Sequence, residues 1–361
     1  MRAFVVVTAI TVPMNVIDLY QNAVSHGHKI DFVFVGDNKT PTDECKKTLS
    51  EIPNLSIWSI GEQKDYVKAE FGSRYNFIFK ENNYQRRIIG FLRAAQEGAD
   101  NIIIMDDDNF PKKDEDFFSM HEVGKTRNLQ SVENNVAYIN QCDFLNLKER
   151  VFVRGFPIMS RMKLRYSFKN ERKRVVSNIG LWSKSPDICA IDHLSYPDIN
   201  VHEKKLKPLM VGKEQFISYT VQNVSFHLET LPCQYEFPMG EYINNIKIGR
   251  FDDIAQGLIF KKIVDLMDDR ITFGPPQAVH NRHSHNFEKD VIEEYFGSYI
   301  IDWLLSSLKR ADIEGHDYYT ITSNVVSFLK NTPIRYKPID NYMSRVLDNF
   351  SLWLNMVDKV S

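Results

Sequence analysis

The residues most suited to chemistry are three consecutive carboxylates, Asp106, Asp107 and Asp108. They directly follow the apolar run Ile102–Met105, which predicts a buried strand. Adjacent carboxylates repel one another, and open α/β sheets bind ligands at the carboxyl ends of their strands. Because residues i and i+2 of an extended chain point the same way, Asp106 and Asp108 can share Mg²⁺ or Mn²⁺ while Asp107 faces a sugar hydroxyl. The alternative is a solvated acidic turn, which the preceding apolar strand disfavours.

Alternating strands and helices would position these acids. Apolar runs bounded by polar loops predict strands at Ala3–Ile10, Ile30–Asp37 and Leu55–Ile60. Apolar residues at helical spacing predict helices that begin after Pro13, at Glu62–Phe71 and at Tyr84–Glu97. The pattern favours a parallel sheet covered on both faces.

The composition excludes several classes of protein. The 361 residues carry 45 Lys and Arg against 47 Asp and Glu, so no overall positive field would gather nucleic acid. The four cysteines lie far apart without a CxxC pair, which favours reduced structural thiols. No apolar window is long enough to span a bilayer, and we expect a soluble, cytoplasmic protein.

A strand that ends in Asp-x-Asp within an N-terminal α/β unit resembles the GT-A glycosyltransferases. The sequence contains neither GxxxxGK[ST] nor GxGxxG, so no P-loop or dinucleotide site competes with this interpretation. The expected fold class is α/β, a GT-A-like (Rossmann-like) mixed sheet flanked by helices with a helical C-terminal extension. The nucleoside would then lie over the first two strands, near Thr8 and Asp37, although both could be ordinary polar residues at strand ends.

Four later segments extend the resemblance, namely VFVRGFPIMSRMK, SNIGLWSKSPD, IGRFDDIAQG and FGPPQAVHNRHSHNF. In this order, and together with the acidic strand, they resemble the reversibly glycosylated polypeptides of plants, which act as UDP-arabinopyranose mutases, and their microbial relatives. The similarity runs from about residue 77 to about residue 305. It implies a divalent metal and a nucleotide-diphosphate sugar as substrate.

The resemblance also assigns roles to two arginines. Arg154 matches the arginine that is reversibly glycosylated in the family, and Arg161 matches a second arginine needed for that activity. A pair of guanidiniums could instead clamp a diphosphate with planar donor forks and stabilise it as it leaves. Arg154 as transient carrier and Arg154 as anion clamp both stay open.

The GRFDD block contributes Arg250, Asp252 and Asp253 and matches GRYDD of the family. One acid could orient or deprotonate a sugar hydroxyl while the other offsets positive charge at the anomeric carbon. Because the block precedes the helical stretch Ile254–Met267, helix capping is the alternative explanation for the two acids.

The same resemblance places four further residues around the substrate. His280 matches a third protein ligand of the metal, and Arg282 stands where the family has lysine and would contact the diphosphate. Lys80 and Arg87 match positions that could hold phosphate or base, although cations on a helix face are usually only solvated.

From Glu293 onward the pattern is helical, and large aromatic residues there could pack in the core or form a homo-oligomer interface. We expect a catalytic domain at residues 1–296 and a helical extension at 297–361 that packs on it. The preferred function is a metal-dependent NDP-sugar mutase, most simply for a UDP-sugar, that interconverts pyranose and furanose rings. A GT-A glycosyltransferase that uses a separate acceptor is the alternative, and a noncatalytic nucleotide-sugar scaffold is a third.

Overall fold

A ten-stranded mixed sheet with helices on both faces organises the chain, and the computed structural model describes residues 2–360. The strands are β1 Ala3–Ala9, β2 Ile30–Gly36, β3 Leu55–Trp58, β4 Asn101–Asp106, β5 Asn109–Phe110, β6 Lys125–Asn134, β7 Tyr138–Ile139, β8 Tyr166–Lys184, β9 Leu209–Val211, β10 Phe216–Ile217, β11 Asn223–His227, β12 Tyr242–Ile243, β13 Ile246–Lys247 and β14 Arg270–His280. The helices are α1 Asn15–Ser25, α2 Thr42–Thr48, α3 Ile60–Glu70, α4 Arg87–Gln96, α5 Phe117–Met120, α6 Ala190–Ser195, α7 Asp252–Leu266, α8 Phe287–Leu308, α9 Tyr318–Lys330 and α10 Asp340–Val357.

The N-terminal half is a parallel sheet in the order β3-β2-β1-β4. Alternate side chains of each strand enter two separate cores, one beneath α1 and α2 and the other beneath α3 and α4. Helix α4 approaches the sheet through Gly90, where a Cβ atom would lie 2.7 Å from Val6 Cγ1. The β1–β4 register sets Thr8 opposite Asp106, so the acids begin where these parallel strands end.

The second half adds antiparallel strands to this sheet. Strand β11 pairs antiparallel with both β4 and β8, and β8 pairs with β6 along its first half and with β14 along its second. The 19-residue strand β8 includes the basic residues Lys169, Arg172, Lys173 and Arg174, and the sequence pattern did not mark it as a strand. The stretch before residue 150, for which the sequence pattern predicted no element, contains the ten-residue strand β6.

The C-terminal helices pack on the sheet domain. Helix α8 contacts α6 and α7, while α9 and α10 pack against each other and against a 3₁₀ turn at Leu228–Cys233. The predicted α/β class, a mixed sheet flanked by helices with a helical C-terminal extension, is confirmed. The division at residue 296 falls within α8 and stays a prediction.

Two further expectations concern cysteines and membranes. All four cysteines are buried and free, which confirms that they are not joined in disulfides. Across residues 2–360, none of the helices has the length and apolar character needed to cross a bilayer.

Candidate active site

A cavity of about 750 Å³ opens where β1 and β4 end. Eleven of the fourteen predicted site residues line it, and we call it the cleft: Lys80, Arg87, Asp106, Asp107, Asp108, Arg154, Arg250, Asp252, Asp253, His280 and Arg282. The remaining three, Thr8, Asp37 and Arg161, are not among its lining residues.

The first two acids of the triplet lie in a cleft that does not favour their charges. Burial raises the pKa of Asp106 to about 7, although Arg87 Nη1 lies 3.0 Å from its Oδ1 and opposes that rise. Burial and the neighbouring Asp108 raise the pKa of Asp107, whose Oδ2 accepts a hydrogen bond of 3.4 Å from Thr11. A cation in the cleft would relieve this electrostatic cost.

Asp108 and His280 are brought together by the short β5–β14 pairing, which sets Asn109 opposite His280. His280 Nε2 lies 3.3 Å from Asp108 Oδ2. On its other side, His280 Nδ1 lies 2.8 Å from the carbonyl oxygen of Ser185, which can only accept, so Nδ1 carries the proton. Burial acts against both charges, yet their pairing raises the pKa of His280 and lowers that of Asp108.

The donor chemistry of this corner fits a divalent cation. Carboxylate oxygens and an imidazole nitrogen are ligands that Mn²⁺ accepts, and the Nδ1–H bond of His280 to a carbonyl leaves Nε2 as the coordinating atom. As the side chains stand, no group of three or more His, Cys, Asp or Glu residues between positions 2 and 360 is close enough to hold an ion. A bound ion would share the Asp106 carboxylate with Arg87, which already contacts its Oδ1.

Glu236 is a buried acid that the sequence analysis missed. Its Oε2 lies 3.0 Å from Arg87 Nε, so Arg87 spans from Glu236 to Asp106. Burial raises the pKa of Glu236 well above its ordinary value. Glu236 lies in none of the motifs that carried the family resemblance, so no signal in the sequence marks it.

Arg154 lies at the centre of the second cluster and uses all of its donors. Nε contacts both carboxylate oxygens of Asp187 at 3.0 and 2.9 Å, and Nη2 lies 2.8 Å from Asp187 Oδ2. Nη1 and Nη2 each donate to one oxygen of Asp253 at 2.9 Å, and Nη1 also donates to the carbonyl oxygen of Arg250 at 2.5 Å. Despite burial, the two acids raise the pKa of Arg154 well above its ordinary value.

Asp187 is the second acid that the sequence analysis missed, although it ends the SNIGLWSKSPD segment. That position within a matched motif was an available signal. Asp187 is 4% exposed and lines the cleft. Together with Asp253 it encloses the Arg154 guanidinium between two carboxylates.

Asp252 and Asp253 begin α7 and therefore also occupy the helix positions that capping predicts. Asp253 Oδ1 accepts from the backbone N–H of Ile254 at 2.8 Å, and Oδ2 accepts from Val221 N–H at 3.2 Å. Asp252 makes no such pairing with Arg154, and burial next to Asp253 raises the pKa of Asp252 to about 6. Asp252 and Asp253 can therefore stabilise the start of α7 and also take part in the cleft.

Further cations line the cleft close to this cluster. Arg250 Nε pairs with Glu294 at 2.9 Å, and Arg282 Nη1 lies 2.7 Å from His193 Nε2. Burial and the nearby charge of Arg250 lower the pKa of Arg282, which shows that these guanidiniums repel one another. Lys80 pairs with Glu241 at the rim. Neighbouring cations of this kind favour a bound anion.

Three predicted residues occupy other positions. Thr8 is buried within β1, and Asp37 accepts backbone hydrogen bonds from Asn82 and Asn83 at 2.9 and 3.0 Å, so it holds a loop that lines the cleft. Arg161 pairs with Asp192 at 2.9 Å and borders a separate apolar cavity of about 140 Å³. The binding and catalytic roles predicted for the three stay predictions.

The family model described as "Reversibly glycosylated polypeptide" matches residues 5–361. The chain belongs to this family. A curated relative, "Probable UDP-arabinopyranose mutase 1" of Pisum sativum, is 24% identical to this chain over 334 residues, which cover 85% of this chain and 84% of the relative. "UDP-arabinopyranose mutase 1" of Arabidopsis thaliana is 24% identical over 211 residues, which cover 58% of this chain and 55% of the relative.

Among solved structures, the chain is similar to glucosyl-3-phosphoglycerate synthase from Mycobacterium tuberculosis in complex with phosphoglyceric acid. The TM-score is 0.39 at 8% sequence identity, with 92% of this chain and 81% of that chain covered.

Proposed function

We propose that this protein is a mutase that interconverts the pyranose and furanose forms of an NDP-sugar, with a UDP-sugar as the preferred substrate. The observation that carries the proposal is the cleft, which joins the Asp106–Asp108 triplet to the Arg154–Asp187–Asp253 cluster in a chain of this family. The curated relatives are named UDP-arabinopyranose mutases, which supports this substrate class.

The charged groups of the cleft suit the two ends of such a substrate. Arg250 and Arg282 repel each other and would bind the diphosphate, whose negative charge grows when the anomeric carbon–oxygen bond breaks. Asp252 and Asp253 line the same cleft and would face the sugar. With a pKa near 6, Asp252 can accept and return a proton of a sugar hydroxyl near neutral pH.

Arg154 would act chiefly by holding Asp253 and Asp187. Its five N–H donors are all engaged, and its raised pKa keeps the guanidinium charged. A charged guanidinium has no nucleophilic lone pair to attack the anomeric carbon. A carrier role would therefore require Arg154 to break contacts and transfer a proton to Asp187 or Asp253.

A divalent metal would be held by Asp106, Asp108 and His280, with Asp107 directed to the substrate. When bound, it would supply positive charge that stabilises the diphosphate. The chain's own part is to gather the carboxylates at the end of β4 and to fix the tautomer of His280 through Ser185.

A glycosyltransferase is the second candidate, because a cleft of about 750 Å³ leaves room for a separate acceptor next to a donor sugar. It would use the same diphosphate and metal residues. The cytoplasmic location expected from the sequence stays a prediction for either enzyme.

Proton NMR separates these candidates when the protein is incubated with Mg²⁺ or Mn²⁺ and a panel of UDP-, dTDP- and GDP-sugars without acceptor. We expect new furanose anomeric signals for one NDP-sugar and no accumulation of free nucleotide. Asp253→Asn should abolish these signals, whereas Asp268→Asn, whose side chain is 59% exposed, should retain them. Binding or slow hydrolysis without a ring isomer would contradict the mutase and favour the transferase.

A further inference from the structure

Arg250 has a backbone conformation that its surroundings must maintain. Its φ is +62°, in the left-handed region that residues with a Cβ atom seldom adopt. The preceding N–H group, that of Gly249, donates to the carbonyl oxygen of Glu293 in α8 at 3.1 Å. The carbonyl oxygen of Arg250 itself accepts from Arg154 Nη1. These contacts on either side of Arg250 fix its main chain, and with it the direction in which its side chain leaves the loop.

Two acids of helix α8 contact the Arg250 guanidinium and lie one helical turn apart. Glu294 Oε1 accepts from Arg250 Nε at 2.9 Å, and Asp290 Oδ2 lies 3.5 Å from Nη1. Residues four apart on a helix share a face, so the two carboxylates approach the guanidinium together. Neither contact uses Nη2, so N–H donors of Arg250 remain for a ligand. The Arg250 side chain is 20% exposed and lines the cleft.

Glu294 is itself held in one orientation. Its second oxygen, Oε2, accepts from the backbone N–H of Ala190 at 3.0 Å, where α6 begins. Its side chain is only 12% exposed and borders the apolar cavity that also contains Arg161. Helix α8, which carries it, packs against both α6 and α7. Because each carboxylate oxygen has a partner on a packed element, Glu294 can in turn fix the position of Arg250 Nε.

We propose that Glu294 is a positioning residue, which orients the Arg250 guanidinium toward the diphosphate of the substrate without contacting the substrate itself. The inference rests on the proposed function, in which Arg250 binds the diphosphate. Guanidinium groups bind phosphate oxygens through a planar fork of donors, so their orientation matters as well as their charge. A side chain that is oriented in advance also avoids the entropy cost of ordering at binding.

The sign of the effect separates positioning from simple charge. Glu294 is an acid close to a site for an anion, so by charge alone its removal should tighten diphosphate binding. If it acts by orienting Arg250, the same removal should weaken binding instead. Glu294→Gln suits this comparison, because it removes the charge and nearly preserves the volume of the side chain.

Proton NMR titrations of the full chain with UDP and with uridine, both in the presence of Mg²⁺, test the proposal. Uridine has the base and ribose but no phosphate, so it reports whether the rest of the cleft is intact. Arg250→Gln should raise the UDP dissociation constant at least about tenfold, because it removes charged hydrogen bonds. Glu294→Gln should raise it about three- to tenfold, the effect of ordering one long side chain at binding. Both variants should bind uridine within about twofold of the unmodified protein.

The double variant shows whether Glu294 acts through Arg250. Its UDP dissociation constant should equal that of Arg250→Gln within about twofold, because Glu294 then has no guanidinium to orient. Glu288→Gln is the matched control, an exposed acid in the first turn of the same helix, and should bind UDP within about twofold of the unmodified protein.

Two kinds of failure can be told apart. Unchanged or tighter UDP binding in Glu294→Gln, an equal loss of uridine affinity, or additive losses in the double variant would overturn the positioning role alone. Unchanged UDP binding in Arg250→Gln would overturn the diphosphate role of Arg250 in the proposed function, and the positioning role with it.

Discussion

The Arg154 guanidinium and the Asp253 carboxylate form a bidentate ion pair, with Nη1 2.9 Å from Oδ1 and Nη2 2.9 Å from Oδ2. They come from segments far apart in sequence, yet both are at most 6% exposed. Asp187 contacts the remaining edge of the same guanidinium. The cluster thus ties the VRGFP segment, the SKSPD segment and the start of α7 into one wall of the cleft.

Arg154→Ala should lower the free energy of unfolding by about 3–5 kcal/mol, because it leaves Asp187 and Asp253 buried without their counter-ion. Urea denaturation followed by circular dichroism measures this change. Arg150→Ala is the matched control, since Arg150 is four residues before Arg154 but has a side chain that is 50% exposed. Arg150→Ala should lower the free energy of unfolding by no more than about 0.5 kcal/mol. Equal losses in the two variants would contradict the role assigned to Arg154.

Asp108→Asn should weaken Mn²⁺ binding by more than about tenfold, because the change removes a carboxylate charge and retains the side-chain shape. The electron paramagnetic resonance of free Mn²⁺ measures binding without any turnover. Asp114→Asn is the control, because Asp114 lies on an exposed turn outside the cleft. Unchanged Mn²⁺ affinity in Asp108→Asn would count against a metal at the triplet.

Gly257→Ala should destabilise the protein by about 1–3 kcal/mol through overpacking. A Cβ atom at Gly257 in α7 would lie 2.1 Å from Tyr219 Cβ, and Tyr219 is fully buried. Gly61→Ala in α3 is the matched helical control, because Ser59 Oγ, the nearest atom outside the backbone of the helix, would lie 3.9 Å from a new Cβ. That variant should be stabilised by up to about 1 kcal/mol. Urea midpoints of both variants test the pair, and a loss in Gly61→Ala as large as in Gly257→Ala would argue against the packing explanation.

Much of the N-terminal half could be predicted because its strands and helices are continuous apolar segments. The strands β1, β2 and β4 and the helix α4 follow from local pattern alone. Strand β8 could not be found in this way, since its first half is exposed and carries charged residues. Its strand conformation depends on pairing with β6, a contact that periodicity does not encode.

The residues of the cleft likewise divide into those that the sequence predicts and those that only the tertiary structure reveals. Residues in matched motifs, such as Asp106 and His280, lie together as expected. Glu236 lies in no such motif, and its importance comes from burial next to Arg87, which only the tertiary structure shows. Arg161 is in a matched motif but pairs with Asp192 beside another cavity, because the chain turns at Ile158–Ser160 between the two arginines.

His121 makes folding stability depend on pH. The side chain is 1% exposed, and its Nε2 donates to Asn223 Oδ1 at 2.7 Å. Burial lowers the pKa of His121 to about 4, against an ordinary value of about 6.5. Between these values the unfolded chain binds more protons than the folded one, so acidification destabilises the fold.

His121→Gln removes this proton uptake. Relative to the variant, the unmodified protein should lose about 2 kcal/mol of unfolding free energy between about pH 7.5 and about pH 5. The lower pH is roughly 1.5 units below the histidine pKa of the unfolded chain, and each unit contributes about 1.4 kcal/mol. Urea denaturation at a series of pH values measures the difference, to which the other histidines contribute equally in both proteins. His316→Gln, a change at an exposed histidine, should follow the pH dependence of the unmodified protein. If His121→Gln also follows it, His121 is not held neutral by the fold.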